Sequence, residues 1–129
     1  MSTREKAKAE ARKAARQEGP AVATYKDVRM SSRKARIVAD MIRGKNVDEA
    51  AIILEFQRKY AAGPLRKCLD AAVANADQRG LDIDDLIVSE VQVNKGPIMR
   101  RFMARAHGRA TKIRKQTSHI KIALSEKES

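Results

Sequence analysis

Cys68 is the only cysteine in this 129-residue chain, and a single thiol cannot close a disulfide within it. That fits a reducing compartment and excludes a cysteine-rich zinc module. Aromatic side chains are almost as scarce: Tyr25, Phe56, Tyr60 and Phe102, with no tryptophan. Proteins that read nucleic acid by stacking many bases need aromatic platforms, so a protein of that kind is not expected. No apolar run approaches the roughly 18 residues that span a bilayer. The first residues lack the apolar stretch of a secretory leader, so the cytoplasm or a derived organelle is the expected location. Acidic residues are missing altogether from Val91 to Ser125.

Positive charge stands in their place. Lys and Arg number 28 against 16 Asp and Glu, a formal net charge of +12. A domain this basic repels itself and is best matched to a polyanion, of which nucleic acid is the commonest. The excess is uneven. Residues 1–20 hold six basic and three acidic residues, and residues 21–96 hold thirteen and eleven. Residues 97–129 hold nine and two. The middle has an ordinary globular balance, whereas the last third is a polycation.

The length suits one domain. Residues 1–20, ending at Gly19-Pro20, are alanine-rich with almost no large apolar residue. They offer no face to bury, so they read as a basic extension that is disordered or ordered by RNA. Residues 21–129 read as the domain. Val22 to Val28 has the β-branched and aromatic content of a short strand. Ser31 or Ser32 can cap a helix whose inner stripe is Ala35, Val38, Ala39 and Ile42, widened by Ile37 and Met41. Gly44 suits its end. Asn46 and Glu49 have capping-box spacing before a second helix with Val47, Ala50, Ala51 and Leu54 inside. A third helix is expected to start near Gly63-Pro64, bury Leu65, Cys68, Leu69, Ala72, Val73 and Ala76, and stop at Gly80.

Leu86 to Asn94 and Ser118 to Leu124 read as strands. They flank GPIMRRFMARAHGRATKIRKQT, Gly96 to Thr117. If the two strands pair antiparallel, this stretch is a long protruding β-hairpin over about 91–122, with its tip about 99–107. At about 3.3 Å per residue that tip stands roughly 30 Å from the root. A disordered basic tail is the plainer alternative, but Ile120, Ile122 and Leu124 alternate as a strand that needs a core. A ribbon this charged suits a surrounding of phosphate, where each cation displaces counterions.

The expected RNA-binding residues are Arg33, Lys34, Arg36, Arg43 and Lys45 on the first helix and beyond it. To them the hairpin adds Lys95, Arg100, Arg101, Arg105, His107, Arg109, Lys112, Arg114, Lys115 and His119. Other chemistry has little support. His107 and His119 lack neighbouring ligands for a metal. Asp82, Asp84 and Asp85 lack the glycine and distal glutamate of a calcium loop and read as a solvated turn. Cys68 sits on an apolar stripe as a small hydrophobe. With no nucleophile–base set and no phosphate-loop pattern, neither an enzyme nor a cofactor nor a small-molecule substrate is expected.

The motifs MSSRKARIVADMIRGKNVDEA, LRKCLDAAVANADQRGLDIDDLIVSEVQVNKGP and MRRFMARAHGRATKIRKQTSHIKIAL resemble the large-subunit ribosomal protein twenty-two family of bacterial or organellar type. The likeness runs from Thr24 to Leu124. It implies an α+β fold of three helices on a small three-stranded antiparallel sheet with one long hairpin. It further implies a structural protein of the cytoplasmic ribosome that binds 23S-type rRNA and supports early subunit assembly. The hairpin would line the nascent-peptide exit tunnel, near the peptide and neighbouring ribosomal proteins at the constriction and exit. On this resemblance Met99, Arg100, Arg101, Phe102, Met103, Ala104 and Arg105 form the tunnel-lining tip. Met99, Arg100 and Arg101 match a motif where changes are associated with macrolide resistance. Residues 1–19 have no counterpart in the compact family pattern. The alternative reading is an architectural DNA-binding protein gripping a minor groove with basic β-ribbon arms.

Overall fold

The computed structural model describes residues 2–127. Residue 1 and residues 128–129, included in the expected extension and domain, lie outside the described residues. The chain runs α1 (Thr3–Glu18), β1 (Ala21–Val28), α2 (Ser32–Ile42), α3 (Val47–Phe56) and α4 (Ala62–Gln78). It continues through β2 (Leu86–Lys95), β3 (Met99–Ala104), β4 (Ala110–Lys115) and β5 (Ser118–Glu126). Strands β1, β5 and β2 form an antiparallel sheet in that order, and β3 pairs with β4 as a separate ladder. This is the expected α+β architecture, with α2, α3 and α4 packed on the sheet.

Helical spacing explains which faces are inside. In α2 the buried residues are Ser32, Ala35, Val38, Ala39 and Ile42. Ile37 and Met41 were expected to widen this stripe, but they are 48% and 42% exposed. They project beyond the arc that the sheet covers. In α4 Leu65, Cys68, Leu69, Ala72 and Ala76 are buried, with Val73 at the margin. Its alanines let the helix lie close to β1 and β5. Gly44 and Gly80 take φ of +79° and +75°, which glycine adopts without steric cost. The Gly44 N–H donates to Val88 O at 2.9 Å, tying the end of α2 to β2.

Two local expectations differ from the structure. Asn46 precedes α3 but its side chain makes no cap. A capping box forms instead at Ser2 and Glu5, where the Glu5 N–H donates to Ser2 Oγ at 3.3 Å and the Ser2 N–H to Glu5 Oε2 at 3.1 Å. It opens α1, a fourth helix beyond the three expected. Alanine content favours it, and its residues are exposed from Ser2 to Ala15.

The sheet keeps an apolar inner face through two irregularities. In β2, Leu86 and Val88 point inward, and so do Val91 and Val93. Strict alternation would turn one pair outward, and the bulge between Val88 and Glu90 absorbs the extra residue. In β1 the register shifts between Tyr25 and Val28, and Asp27 there takes φ +59°.

Candidate nucleic-acid interface

Beyond Lys95 and Ser118 the main ladder stops. Gly96 N–H donates to Thr117 O at 2.9 Å, Thr117 Oγ1 donates to Pro97 O, and then β3 and β4 begin a ladder of their own. A side chain at this junction would force its neighbours to shift. A Cβ on Gly96 would fall 2.6 Å from Thr117 Oγ1 and 3.2 Å from the His119 ring. The six residues of β3 carry the arm outward by roughly 20 Å.

Register assigns each side chain of the arm to a face. Arg100, Phe102, Lys112 and Arg114 share one face, with Arg100 directly opposite Arg114 and Phe102 opposite Lys112. Met99, Arg101, Met103, Ile113 and Lys115 share the other. Every residue from Arg100 to Lys112 is exposed. Phe102 is 71% exposed. Like charges directly across a ladder repel, and among the described residues none of them pairs with a carboxylate. Both faces therefore combine cations with apolar groups and are covered by no other part of the described chain.

The turn lies further along than the expected tip at Met99 to His107. Arg105 N–H donates to Arg109 O at 2.7 Å, and the apex is Ala106–Gly108. His107 and Gly108 take φ of +63° and +67° there. Met99 to Ala104 is thus rising strand, and Arg105, His107 and Arg109 crowd the apex. A left-handed step needs Gly108 and a tolerant neighbour, which decides where the chain reverses.

A second basic surface lies where α2 meets the arm's root. Arg29, Arg33, Lys34, Arg36, Lys95, Arg114 and Lys115 line an open groove of about 980 Å³ with no acidic residue among its lining. The α2 N-terminus opens beside it. Ser31 occupies the cap position without a side-chain hydrogen bond, and no acidic residue stands in the first turn. The positive end of the helix dipole thus meets Arg33 and Lys34 with no counter-charge, an arrangement that an anion would relieve. Ser118 Oγ, at the strand position paired with Lys95, is fully buried and has no hydrogen-bond partner among the described residues.

The expected site residues fall into three groups. Arg33, Lys34, Arg36, Lys95, Arg114 and Lys115 converge on the groove. Arg100, Arg101, Arg105, His107, Arg109 and Lys112 extend along the arm. Arg43 and Lys45 lie at the other end of α2, away from both. Part of the cationic set also braces the fold. Arg36 Nη2 donates to Val93 O at 3.0 Å, and Arg43 Nη2 to Val91 O at 2.8 Å while Nη1 pairs with Asp40. These bonds fasten α2 across β2. His119 Nδ1 accepts the Asp27 N–H at 3.1 Å and steadies the β1 bulge. Arg29 was not among the expected residues. It sits in the short β1–α2 connection, where no periodicity draws attention to it.

Cys68 is buried, and its Sγ–H donates to Ala23 O at 3.4 Å. Burial pushes its thiol up to about 11, so the reactive thiolate is suppressed at neutral pH. Asp82 Oδ1 accepts the Asp84 N–H at 3.1 Å, and the acidic run is a short exposed turn. No cluster of three potential metal ligands occurs among the described residues. No helix among them is long and apolar enough to cross a membrane.

The fold and these surfaces define a small α+β protein with an exposed basic ribbon and a basic groove. The sequence model of the family described as Ribosomal protein L22p/L17e matches residues 23–125. The chain is also 50% identical over 108 residues to the Large ribosomal subunit protein uL22 of Syntrophotalea carbinolica, covering 83% of this chain and 98% of that protein. The chain belongs to this family, the bacterial-type twenty-two proteins of the large ribosomal subunit. It is a structural ribosomal protein of the cytoplasm, and not an enzyme. Membership decides against the architectural DNA-binding alternative. The match begins after α1, so the N-terminal helix lies outside it.

Proposed function

We propose that the protein binds large-subunit rRNA of the 23S type through two continuous surfaces, the groove at the α2 N-terminus and the β3–β4 arm. The observation that carries this reading is the arm itself. Arg100 faces Arg114 across a ladder that is exposed on both sides, in a stretch from Val91 to Ser125 that has no acidic residue. Such a structure is self-repelling in water, and phosphate on both faces removes the repulsion. Arginine suits this setting because its planar fork can grip phosphate with two hydrogen bonds.

The mechanism is electrostatic and geometric. The body docks through Arg29, Arg33, Lys34 and Lys95, and the arm passes between rRNA segments, neutralises them and fixes their spacing. This supports early subunit assembly. The arm's outer end, from Met99 through the apex at Ala106–Gly108, lines the nascent-peptide exit tunnel, where it meets the peptide and neighbouring ribosomal proteins. Arg43 and Lys45 contact rRNA at a separate point, and the 1–20 extension adds a basic helix that rests on RNA.

The test is incorporation. A double variant, Arg100→Glu with Arg114→Glu, leaves the buried body intact because both side chains are exposed. Its thermal unfolding should match that of the unaltered chain, while its share in purified large subunits, quantified by mass spectrometry, should fall at least tenfold. Incorporation at the normal level would overturn the reading.

A further inference from the structure

The chain's two tyrosines are far apart in sequence yet line one depression of about 350 Å³. Its wall includes Tyr25 from β1, Tyr60 in the turn before α4, Pro64 in the helix's first turn, Lys67 one turn on, and Asp27 and Arg29. Tyr60 is 70% exposed, and neither phenol makes a hydrogen bond among the described residues. Asp27, Arg29 and Lys67 have no ion-pair partner among them either. The volume lies at the small end of the roughly 300–1,000 Å³ typical of ligand sites. Flat rings, a proline face, two cations and one carboxylate are the groups that hold a single heterocyclic base with its phosphate.

Arg29 joins this depression to the proposed RNA surface, since it also lines the groove at the α2 N-terminus. A strand leaving that groove past Arg29 arrives directly at the tyrosines. Asp27 is held in position by its backbone, with φ +59° and its N–H bonded to His119 Nδ1. Its carboxylate accepts hydrogen bonds only, so it selects an edge that donates them, such as an exocyclic amino group.

We propose that the depression between Tyr25 and Tyr60 receives one unpaired nucleobase of the RNA whose phosphates occupy the adjoining groove. Tyr60 stacks on the base, Asp27 accepts from its amino edge, and Arg29 and Lys67 hold the flanking phosphates. The general scarcity of aromatics is thus compatible with one local stacking site. This inference rests on the RNA-binding reading above.

The test uses the full chain and an in-vitro large-subunit rRNA transcript, with affinity measured across a salt series. Tyr60→Ala should weaken binding about 5- to 150-fold, the range for losing one base–aromatic stack. Its salt slope should not change, because no charge is lost. Tyr60→Phe should bind within about twofold of the unaltered chain. Lys67→Ala should lower the salt slope by about 0.7 to 0.9. Ultraviolet crosslinking should join Tyr60 to an unpaired nucleotide. If the unaltered chain binds and Tyr60→Ala binds equally well, the base site is wrong and the RNA reading stands. If the unaltered chain does not bind the transcript at all, both fall together.

Discussion

In the ladder of β2 and β5, Val91 faces Ile122 and Val93 faces Ile120, with helices over them. In the ladder of β3 and β4, Arg100 faces Arg114 and Phe102 faces Lys112, with nothing among the described residues over them. The backbone pairing is alike in kind, so hydrogen bonding alone does not separate the two regions. What differs is the burial that makes a strand pair stable in water. The body supplies its own partner surface. The arm has no such cover among the described residues, so on the proposed reading one chain holds a self-sufficient half and a half that depends on RNA.

The largest expected effect tests that division directly. Ile122 is completely buried, and Ile122→Ala should lower unfolding free energy by about 2–5 kcal/mol through lost burial and a cavity. Phe102→Ala, although it removes a larger side chain, should change it by less than about 0.5 kcal/mol because the ring is exposed. Denaturant titration of the two variants side by side checks the pair, and equal losses would erase the distinction between the regions.

The next effect lies at the seam. Gly96→Val places side-chain atoms where Thr117 Oγ1 and His119 already stand, at a cost of about 1–3 kcal/mol. Amide exchange should rise first at Gly96 to Met99 and Lys115 to Thr117, with the β2–β5 amides protected. A smaller effect has the opposite sign. Arg114→Thr removes the charge facing Arg100, so the isolated arm should gain about 0.2–1 kcal/mol while affinity for rRNA falls. Chemical shifts of the β3 amides and a binding titration read the two changes separately.

The last effect, at Cys68, appears only in alkali and leaves nothing to read at neutral pH. Its thiol titrates near 11 in the folded chain against 9.0 as an ordinary cysteine, so burial favours the protonated form. The resulting stability is fully present below pH 9 and declines between pH 9 and 11, where the unfolded chain ionises first. Alkylation of the native protein at pH 8 should be negligible, whereas the arm-disrupted Gly96→Val chain should differ little, since Cys68 belongs to the body.

The same divide governs what the residue order disclosed. The inner faces of α2 and α4 were legible because Ala35, Val38, Ala39 and Ile42, and Leu65, Cys68, Leu69 and Ala72, repeat at the spacing of a buried helix face. The paired strands at either end of the basic stretch were legible for the same reason, since they have a core to point at. Ile37 and Met41 misled because apolar character does not reveal how wide an arc the sheet will cover. The capping spacing at Asn46 and Glu49 drew attention, yet the spacing that closes a box is at Ser2 and Glu5. Within the arm, periodicity carried little information because no face is buried, and the turn was placed too early. Arg29 and the meeting of Tyr25 with Tyr60 depend on tertiary approach, which short-range patterns do not encode.

The break at Gly96 and Thr117 has a mechanical consequence. The projecting ladder is a cantilever whose root is spanned by a few bonds, among them Gly96 N–H to Thr117 O and Thr117 Oγ1 to Pro97 O. A load at the Ala106–Gly108 end acts through the full lever length, and the resulting torque concentrates at that thin root. The close approach of Thr117 and His119 to Gly96 stands at that root, so bulk added there acts on the arm's direction at the point of greatest leverage.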